Sequence, residues 1–412
     1  MQENNPGISL RGARAALLLL TGVNLLNYLD RYVVSALVES LRHCELHLTD
    51  PQLGLLMSSF LVVYLASSPI FGIWGDTGRR PRLIAAGVAL WSGATALGGF
   101  ARSFGQLLFA RSAVGIGEAS YGTIAPALLS DAFPPHRRGR VMSIFYSALP
   151  VGAAAGYIAG GLLDRMFGWR AAFLLAGCPG LLLAFFVSRL PEFPRETSPD
   201  EPGPWASFAG LARNRPYRRV VLGYAAYTFA LGALAFWTPA FLERARGMSR
   251  SEATVQFGLI VVATGFAGTF AGGWLADFLR RRTPQSDLWV CGVATLAAAP
   301  VVWVAFTSPN RAVSLAAITI AEVLLFLPTG PANSAILGAA PAGRRATAMA
   351  LSIFAIHLLG DVPSPLLLGV LSQATSLQAA FRWLPAPILL AGAIWCFAAS
   401  RGSGAYVELE KH

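Results

Sequence analysis

The chain contains 412 residues, of which 55% are hydrophobic and only 13% are charged. Soluble domains carry about 25% charged residues, so a soluble fold of this composition would lack the charges needed to cover its surface. A bilayer removes that need because lipid tails accept apolar side chains on the outside of a protein. The net charge of +11 does not indicate a nucleic-acid partner, because the basic residues form short clusters and no continuous stripe. We predict a membrane protein.

No motif of an enzyme or a metal site is visible in the sequence. There is no Ser-His-Asp arrangement, no His/Glu metal cluster and no phosphate-binding glycine loop. The four cysteines stand far apart and form no C-x-x-C pair, so they predict neither a disulfide framework nor a zinc site. A filter-like element of a channel is not recognisable either. We therefore expect no cofactor, no metal and no enzymatic activity.

Twelve apolar stretches are long enough for transmembrane helices, which need about 20 residues each. In the first half they are 15–41, 52–75, 83–101, 105–132, 139–163 and 170–189. In the second half they are 217–243, 252–279, 286–307, 311–339, 345–374 and 380–400. The intervening residues 191–216 are rich in proline and acidic residues, which is typical of a solvated linker. The sequence thus predicts an all-α membrane protein with six-helix bundles at 1–190 and 217–412.

The arginines and lysines predict the orientation of the chain. On this topology, 21 of the 32 basic residues lie in the termini, the linker and the loops after helices 2, 4, 8 and 10. Nine lie in the opposite loops. Basic residues favour the cytoplasmic side of a membrane, so we expect both termini and the linker in the cytoplasm.

A loop motif repeats between the two halves. The first copy follows helix 2, and the second follows helix 8, 201 positions later. The matched residues are Gly72, Asp76, Arg79 and Arg80, followed by Gly273, Asp277, Arg280 and Arg281. Two pseudo-symmetric six-helix halves in parallel orientation match the major facilitator fold, in which substrate binds between the halves near the midplane.

Several segments resemble one branch of that fold. GIWGDTGRR at 72–80 is similar to the facilitator signature after helix 2, and Arg111 with VGIGEASY at 114–121 is similar to the Spinster form of the helix 4 arginine motif. Three further segments also resemble Spinster proteins: NYLDRY at 27–32, IAPALLSDAF at 124–133 and HLLGDVPSP at 357–365. By this resemblance the chain is identified as a bacterial member of the Spinster family.

The resemblance implies a function as well as a fold. Spinster relatives in animals move sphingosine-1-phosphate or lysophospholipids, and proton coupling is implied for some of them. We therefore expect a monomeric alternating-access transporter of the bacterial inner membrane that exports lipid-like organic anions. Facilitator antiporters often have Gly-Pro in helix 5, whereas here Tyr157 follows Gly156, so this motif does not support antiport. A proton-coupled efflux pump for drugs or small metabolites remains the alternative.

Helix 1 carries charges inside a predicted span, where an ionised side chain costs at least about 3 kcal/mol. One helical face, expected to line a wet cavity, is formed by Asn24, Asn27, Tyr28, Arg31 and Ser35. Arg31 is the candidate for holding an anionic head group, because a guanidinium forks onto phosphate or carboxylate. Asp30 lies about 110° from that face and should meet a neighbouring helix, as a proton acceptor or a structural counter-ion. A fixed pair that only stabilises the bundle is the alternative.

Helices 4 and 11 contain two further ionisable pairs. Arg111 and Glu118 are seven residues apart and share a helical face, and Glu118 lies in a glycine-rich run that lets another backbone approach. We expect Glu118 to serve proton coupling or substrate gating, or else to be structural. His357 and Asp361 stand four residues apart. Because histidine titrates near physiological pH, they are a second coupling candidate, and a packing histidine is the alternative.

The repeated loop residues predict a gating latch on the cytoplasmic side. Asp76 is placed to pair with Arg79 or Arg80, and Asp131 at the end of helix 4 to join them. Such pairs would hold one side shut in one state and break in the other. The weaker counterpart in the second half is Asp277, Arg280 and Arg281. Topogenic charge alone would explain the arginines but not the matched aspartates.

Glycines recur at small-residue spacing in helices 5 and 8. In helix 5 they are Gly152, Gly156, Gly160 and Gly161, and in helix 8 they are Gly265, Gly268 and Gly272. Small residues at this spacing let two helices pack closely. We expect helices 5 and 8 to meet along these faces.

Overall fold

The computed structural model of the chain describes residues 10–194, 210–340 and 345–401, and these residues form helices and no strand. The chain divides into two compact units. Unit 1 is Met1–Pro199 with Ser249–Gly258, and unit 2 is Asp200–Met248 with Leu259–His412. The start of the eighth predicted span thus groups with unit 1. The predicted domain boundary at the 191–216 linker stays a prediction.

Residues 10–188 of unit 1 form six helices, and the last of them contains a break. The helices are α1 (Leu10–Ala36), α2 (Val38–His43), α3 (Asp50–Thr77), α4 (Arg80–Gly98), α5 (Phe104–Ala132) and α6 (Pro135–Ser188). Within α6, Gly168 has φ 81° and ψ 166°. Glycine adopts this φ readily because it has no Cβ. The break separates the predicted spans 139–163 and 170–189, so α6 supplies both.

The remaining helices are α7 (Arg215–Arg246), α8 (Arg250–Arg280), α9 (Ser286–Thr307), α10 (Arg311–Phe326), α11 (Thr329–Ala339), α12 (Arg345–Ile356), α13 (Pro363–Ala374), α14 (Leu377–Phe381) and α15 (Pro385–Ser400). A π-helical turn, His357–Asp361, joins α12 to α13. The tenth predicted span is divided between α10 and α11, where Pro328 cannot donate a backbone hydrogen bond.

The helices agree with the twelve predicted spans to within a few residues. Nine helical stretches of the described residues are long and apolar enough to cross a membrane, by length and composition. One of these stretches is α6, which holds two spans. Helices α4 and α5 coincide with two further predicted spans.

The glycines of helices 5 and 8 make close contacts with several helices. A Cβ on Gly152 or Gly156 of α6 would lie 2.6 or 2.5 Å from a backbone carbonyl oxygen of α1. A Cβ on Gly268 would lie 2.6 Å from the Cβ of Phe326 in α10. Of the four glycines of α6 singled out from the sequence, Gly161 is the one with a close contact to α8, at Thr254. The prediction that helices 5 and 8 meet along these faces holds at Gly161, and for the remaining glycines it stays a prediction. These glycines chiefly bring α6 close to α1 and α8 close to α10.

A buried ion pair holds the first turn of α8 inside unit 1. The Nη1 of Arg250 lies 2.8 Å from the Oδ2 of Asp164 in α6, whose side chain is only 1% exposed. Ser40 of α2 donates a hydrogen bond of 2.7 Å to the other carboxylate oxygen and lies 2.9 Å from the guanidinium of Arg250. Neither partner was singled out from the sequence, because the pair joins residues far apart in the chain.

We expect Asp164→Ala to destabilise the protein by about 1.5–3 kcal/mol, because the buried carboxylate that binds both Ser40 and the partly exposed Arg250 is lost. The matched control is Asp277→Ala, whose side chain is 75% exposed in its pair with Arg280 and which should cost about 0–1 kcal/mol. The measurement is the apparent unfolding temperature of the purified protein in detergent. Equal shifts for the two variants would show that the Asp164 pair contributes no special stability.

Candidate functional site

Four charged side chains meet between α1 and α5 inside unit 1. They are Asp30 and Arg31 of α1 and Arg111 and Glu118 of α5, called the charged quartet below. The Nη2 of Arg31 lies 2.7 Å from the Oε2 of Glu118, and the Nη1 of Arg111 lies 3.6 Å from the Oδ2 of Asp30. Arg31 is 14% exposed, and the other three side chains are at most 3% exposed. The quartet is thus electrically balanced and almost fully enclosed.

The structure pairs these residues across helices rather than along one helix. Arg111 and Glu118 share a face of α5, as predicted, yet each binds a partner on α1. Asp30 also accepts a hydrogen bond of 2.8 Å from Thr95 of α4, which agrees with the expectation that it meets neighbouring helices. Spacing within one helix can identify a shared face but not the helix that lies opposite.

Several polar atoms of the quartet have no hydrogen-bond partner in the described part of the chain. They are the Oδ1 of Asp30, the Nε of Arg31, all three guanidinium nitrogens of Arg111, the Oε1 of Glu118 and, beside the quartet, the Nδ2 of Asn27. Buried polar atoms normally find partners. The quartet therefore retains capacity to accept a proton or bind another polar group.

Aromatic rings surround Arg31, the one partly exposed member of the quartet. The guanidinium carbon of Arg31 lies 5.2 Å from the ring centre of Tyr28, 5.0 Å from that of Phe60 and 5.7 Å from that of Tyr64. Arg111 lies 5.3 Å from the same Phe60 ring. Ring faces attract cations and also offer an apolar surface, so the surroundings of Arg31 suit a ligand with a charged end and an apolar body.

The predicted polar stripe of helix 1 does not line a cavity along its whole length. Asn24, Asn27 and Ser35 are buried inside unit 1, and Asn24 donates a hydrogen bond of 2.9 Å to the carbonyl oxygen of Phe145 in α6. Tyr28 and Arg31 are partly exposed. Burial contradicts the cavity-lining prediction for these three residues. Asn24 instead satisfies a backbone group of a neighbouring helix, whereas the Nδ2 of Asn27 and the Oγ of Ser35 have no hydrogen-bond partner among the described residues.

At the start of α4, just after the loop from α3, the buried Arg80 binds two carboxylates. Its Nη1 lies 2.6 Å from the Oδ2 of Asp131 at the end of α5. Glu192 accepts a hydrogen bond of 2.9 Å from the backbone N–H of Arg80, and its other oxygen lies 3.8 Å from the Nε. Glu192 was not predicted to take part. All three residues belong to unit 1, so these contacts brace one unit internally.

The other loop residues are placed as follows. Asp76 and Arg79 are exposed at the α3–α4 turn, and their predicted pairing stays a prediction. A Cβ on Gly72 would make an ordinary contact with Thr123 of α5, at 3.8 Å. Arg281 is exposed after α8.

The second copy of the loop motif centres on a buried aspartate that the motif does not contain. Arg280 lies 3.5 Å from Asp277 but also 3.2 Å from Asp287 at the start of α9. Asp287 is 4% exposed and accepts a hydrogen bond of 2.7 Å from Ser334 of α11. The repeated Asp277 is 75% exposed, so Asp287 is the stronger partner of Arg280.

His357 and Asp361 meet across the π-helical turn of unit 2. The Nδ1 of His357 lies 2.9 Å from both carboxylate oxygens of Asp361, and the two side chains are 23% and 22% exposed. π turns are frequent at functional sites. In the described residues, no group of three or more His, Cys, Asp or Glu side chains is arranged to hold a metal ion.

Comparisons with known proteins show the family of the chain. A family model described as Major Facilitator Superfamily matches residues 20–362. Protein spinster homolog 1 of Xenopus tropicalis is 34% identical over 89% of this chain and 74% of its own length. The Homo sapiens protein spinster homolog 1 is also 34% identical, over 98% of this chain and 83% of its own length.

The fold is also similar to that of solved transporters. The crystal structure of a bacterial homolog to the human lysosomal transporter Spinster, in an inward-facing and unoccupied conformation, gives a TM-score of 0.83 at 24% identity. The match covers 97% of this chain and 98% of that chain. Together with the helices described above, it confirms the predicted all-α major facilitator fold. The chain belongs to the Major Facilitator Superfamily and, within it, to the Spinster transporters.

Proposed function

We propose that this Spinster transporter exports lipid-like or amphipathic organic anions by alternating access and exchanges protons at the charged quartet. The observation that carries the proposal is the ion pair between Arg31 and Glu118. Its two atoms are 2.7 Å apart, so a carboxylate already binds the partly exposed guanidinium. A phosphate or carboxylate head group has the same hydrogen-bonding chemistry as Glu118. The two anions would therefore compete for Arg31.

This competition supports coupling to protons. When a substrate anion takes Arg31, Glu118 loses its cation while it stays buried. A buried carboxylate without a partner is costly, and uptake of a proton removes the charge. Proton binding at Glu118 and anion binding at Arg31 thereby favour each other. Asp30, whose Oδ1 has no hydrogen-bond partner in the described residues, is the second candidate for proton exchange, with Arg111 as its counter-ion.

The loop contacts support a gating role in which contacts within each unit hold the loop residues in position. Arg80 attaches the start of α4 to Asp131 and Glu192. These contacts set the position of the exposed Asp76 and Arg79 in the preceding turn. In unit 2 the buried Asp287 binds Arg280, which is itself 52% exposed, next to Asp277 and Arg281. We assign the latch to these exposed residues and the bracing to the buried pairs.

The His357–Asp361 pair is a further candidate for proton exchange, because both side chains are partly exposed.

The distribution of basic residues supports placement of both termini and the linker in the cytoplasm of a bacterial inner membrane. Resemblance supports a monomer.

Efflux of drugs or small amphipathic metabolites is the second candidate function. The aromatic rings around Arg31 favour it as much as they favour lipids, since flat aromatic molecules stack on such rings. Competition binding with sphingosine-1-phosphate, a lysophospholipid and unrelated cationic and neutral drugs separates the two. Displacement by anionic lipids alone supports lipid export.

We expect Arg31→Ala to weaken binding of sphingosine-1-phosphate by about 10- to 100-fold, because a hydrogen bond to a charged group contributes about 1.5–3 kcal/mol. Equilibrium binding to the purified protein measures the effect. Arg42→Ala, in the last turn of α2, is the matched control and should bind normally. The double variant Arg31→Ala/Glu118→Gln removes the unpaired carboxylate, so it should regain stability without regaining affinity. Full affinity in this double variant would exclude the head-group role of Arg31.

We expect binding of the anionic lipid to the wild type to strengthen as the pH falls, because protonation of Glu118 frees Arg31. Glu118→Gln imitates the protonated side chain and should bind tightly at every pH. The measurement is the apparent Kd between acidic and alkaline pH. A flat profile in the wild type would argue against exchange at Glu118, and a sloping profile in Glu118→Gln would move the titrating group elsewhere.

We expect Asp131→Asn to change access to the α3–α4 loop, because Arg80 loses its nearest carboxylate. Labelling of a cysteine introduced at Thr77, in a background without the four native cysteines, by a membrane-impermeant maleimide measures that access. Glu252→Gln at the start of α8 is the control and should label like the parent. Identical labelling of all three proteins would count against bracing by Arg80.

A further inference from the structure

One carboxylate of unit 2 has no part in the site described above. Glu322 lies in α10, near the middle of the apolar stretch Arg311–Ala339. Two other carboxylates near the middle of their helical stretches, Glu118 and Asp361, have basic partners at 2.7 and 2.9 Å. Within the described residues, Glu322 makes no hydrogen bond and no ion pair. An ionisable side chain in the middle of a span is costly unless it has a function.

Glu322 points away from the outer side of its helix. Ile320 is 54% exposed and Val313, two turns earlier, is 45% exposed, which marks the lipid-facing side. At 100° per residue, Glu322 lies about 200° from Ile320. It is also one turn from Ile318 and Leu325, which are buried within unit 2. Glu322 is partly exposed and therefore lies on the side of α10 turned away from Ile320 and Val313.

The group of a neighbouring helix that interacts with Glu322 is a phenol, which can bond to a neutral acid but cannot neutralise a carboxylate. Tyr227 of α7 donates a hydrogen bond to the carbonyl oxygen of Leu325 and interacts electrostatically with Glu322. Cys291 of α9 interacts with Tyr227 in turn. Helix α8 presents Gly268 and Gly272 to this part of α10 and α11. None of these groups is a permanent cation.

The His357–Asp361 pair reaches this cluster through a second tyrosine. Tyr224 interacts electrostatically with Asp361, and its ring centre lies 5.8 Å from that of Tyr227. Asn333 of α11 donates a hydrogen bond of 2.8 Å to the carbonyl oxygen of Thr329. The residue after Asn333 is Ser334, which donates to Asp287 at 2.7 Å. The two tyrosines thus relate the surroundings of Glu322 to those of Asp361, whereas Ser334 and Asp287 lie beside Arg280.

We propose that Glu322 is a proton-binding site of unit 2, separate from the charged quartet of unit 1. The carboxylate takes up one proton to become a neutral acid, and it returns that proton when water reaches α10. No other reactant is needed. The neutral form suits a position without a cation, where an ionised carboxylate would lose its hydration uncompensated. The inference deepens the proposed function by giving proton exchange a second site, and its first test is independent of substrate.

The first test is infrared difference spectroscopy of the purified full-length protein in lipid nanodiscs as the pH is raised. The wild type should show the carbonyl stretch of a protonated carboxylic acid at neutral pH and lose it at alkaline pH. Glu322→Gln should lack that component, and Glu322→Asp should retain it at a shifted frequency. Glu252→Gln, the same chemical change at the start of α8, should match the wild type. Thermal unfolding of each variant verifies that it is folded. Identical spectra for Glu322→Gln and the wild type would overturn the proposal.

The second test uses proteoliposomes that contain a pH-sensitive dye, with sphingosine-1-phosphate as the probe. Glu322→Gln should move fewer protons than the wild type while it binds the probe normally, because Arg31 is intact. If the wild type moves no probe but shows the infrared component of Glu322, the proposed function fails and the proton site stands. If the wild type couples probe to protons and Glu322→Gln does so equally, with an unchanged spectrum, the proton site fails and the proposed function stands.

Discussion

The interior of unit 1 depends on the balance of two guanidinium groups against two carboxylates. In a medium of low dielectric constant, an unmatched charge costs several kcal/mol, so none of the four can be lost or moved alone without a compensating change. Packing enforces that balance. A Cβ on Gly115 would lie 2.5 Å from the carbonyl oxygen of Phe60, and one on Gly117 would lie 2.4 Å from that of Gly87. The glycines of α5 thus draw the backbones of α3 and α4 around the quartet and exclude water from most of it.

The two units differ in the groups that lie next to the carboxylates in their helices. Unit 1 places arginines, which stay protonated, against its carboxylates. Unit 2 places a histidine against Asp361 and gives Glu322 the phenol of Tyr227 and no cation among the described residues. The first arrangement suits recognition of an anion, because its cations are permanent. The second suits gain and loss of protons, since the charges of both partners can be removed. The two units therefore share the loop motif but differ in the ionisable groups of their interiors.

The sequence was sufficient for the features that depend on a single helix. Hydropathy located the twelve spans, spacing placed Arg111 and Glu118 on one face, and the separation of His357 and Asp361 brought them together. Features that depend on which helix lies opposite were missed or wrong. The glycines of α6 face α1, Asn24 bonds to α6, and Glu118 binds Arg31 rather than an arginine of its own helix. Partners distant in sequence, such as Asp164 with Arg250, leave no local pattern. The isolated Glu322 was visible as a charge in a span, but only the structure shows its lack of a cation.

The π-helical turn sets the rotation of everything that follows it in the eleventh span. The backbone N–H of Val362 reaches back five residues to the carbonyl oxygen of His357, at 3.0 Å, so this turn holds one residue more than an α-helical turn. Beyond it, Pro365 accepts a hydrogen bond of 2.9 Å from the indole of Trp237. Removal of one residue from 357–361 would rotate α13 by about 100° and turn its α7-facing side elsewhere. In an alignment of relatives, a single-residue gap at this place would therefore mark a change in helix phase rather than a shortened loop.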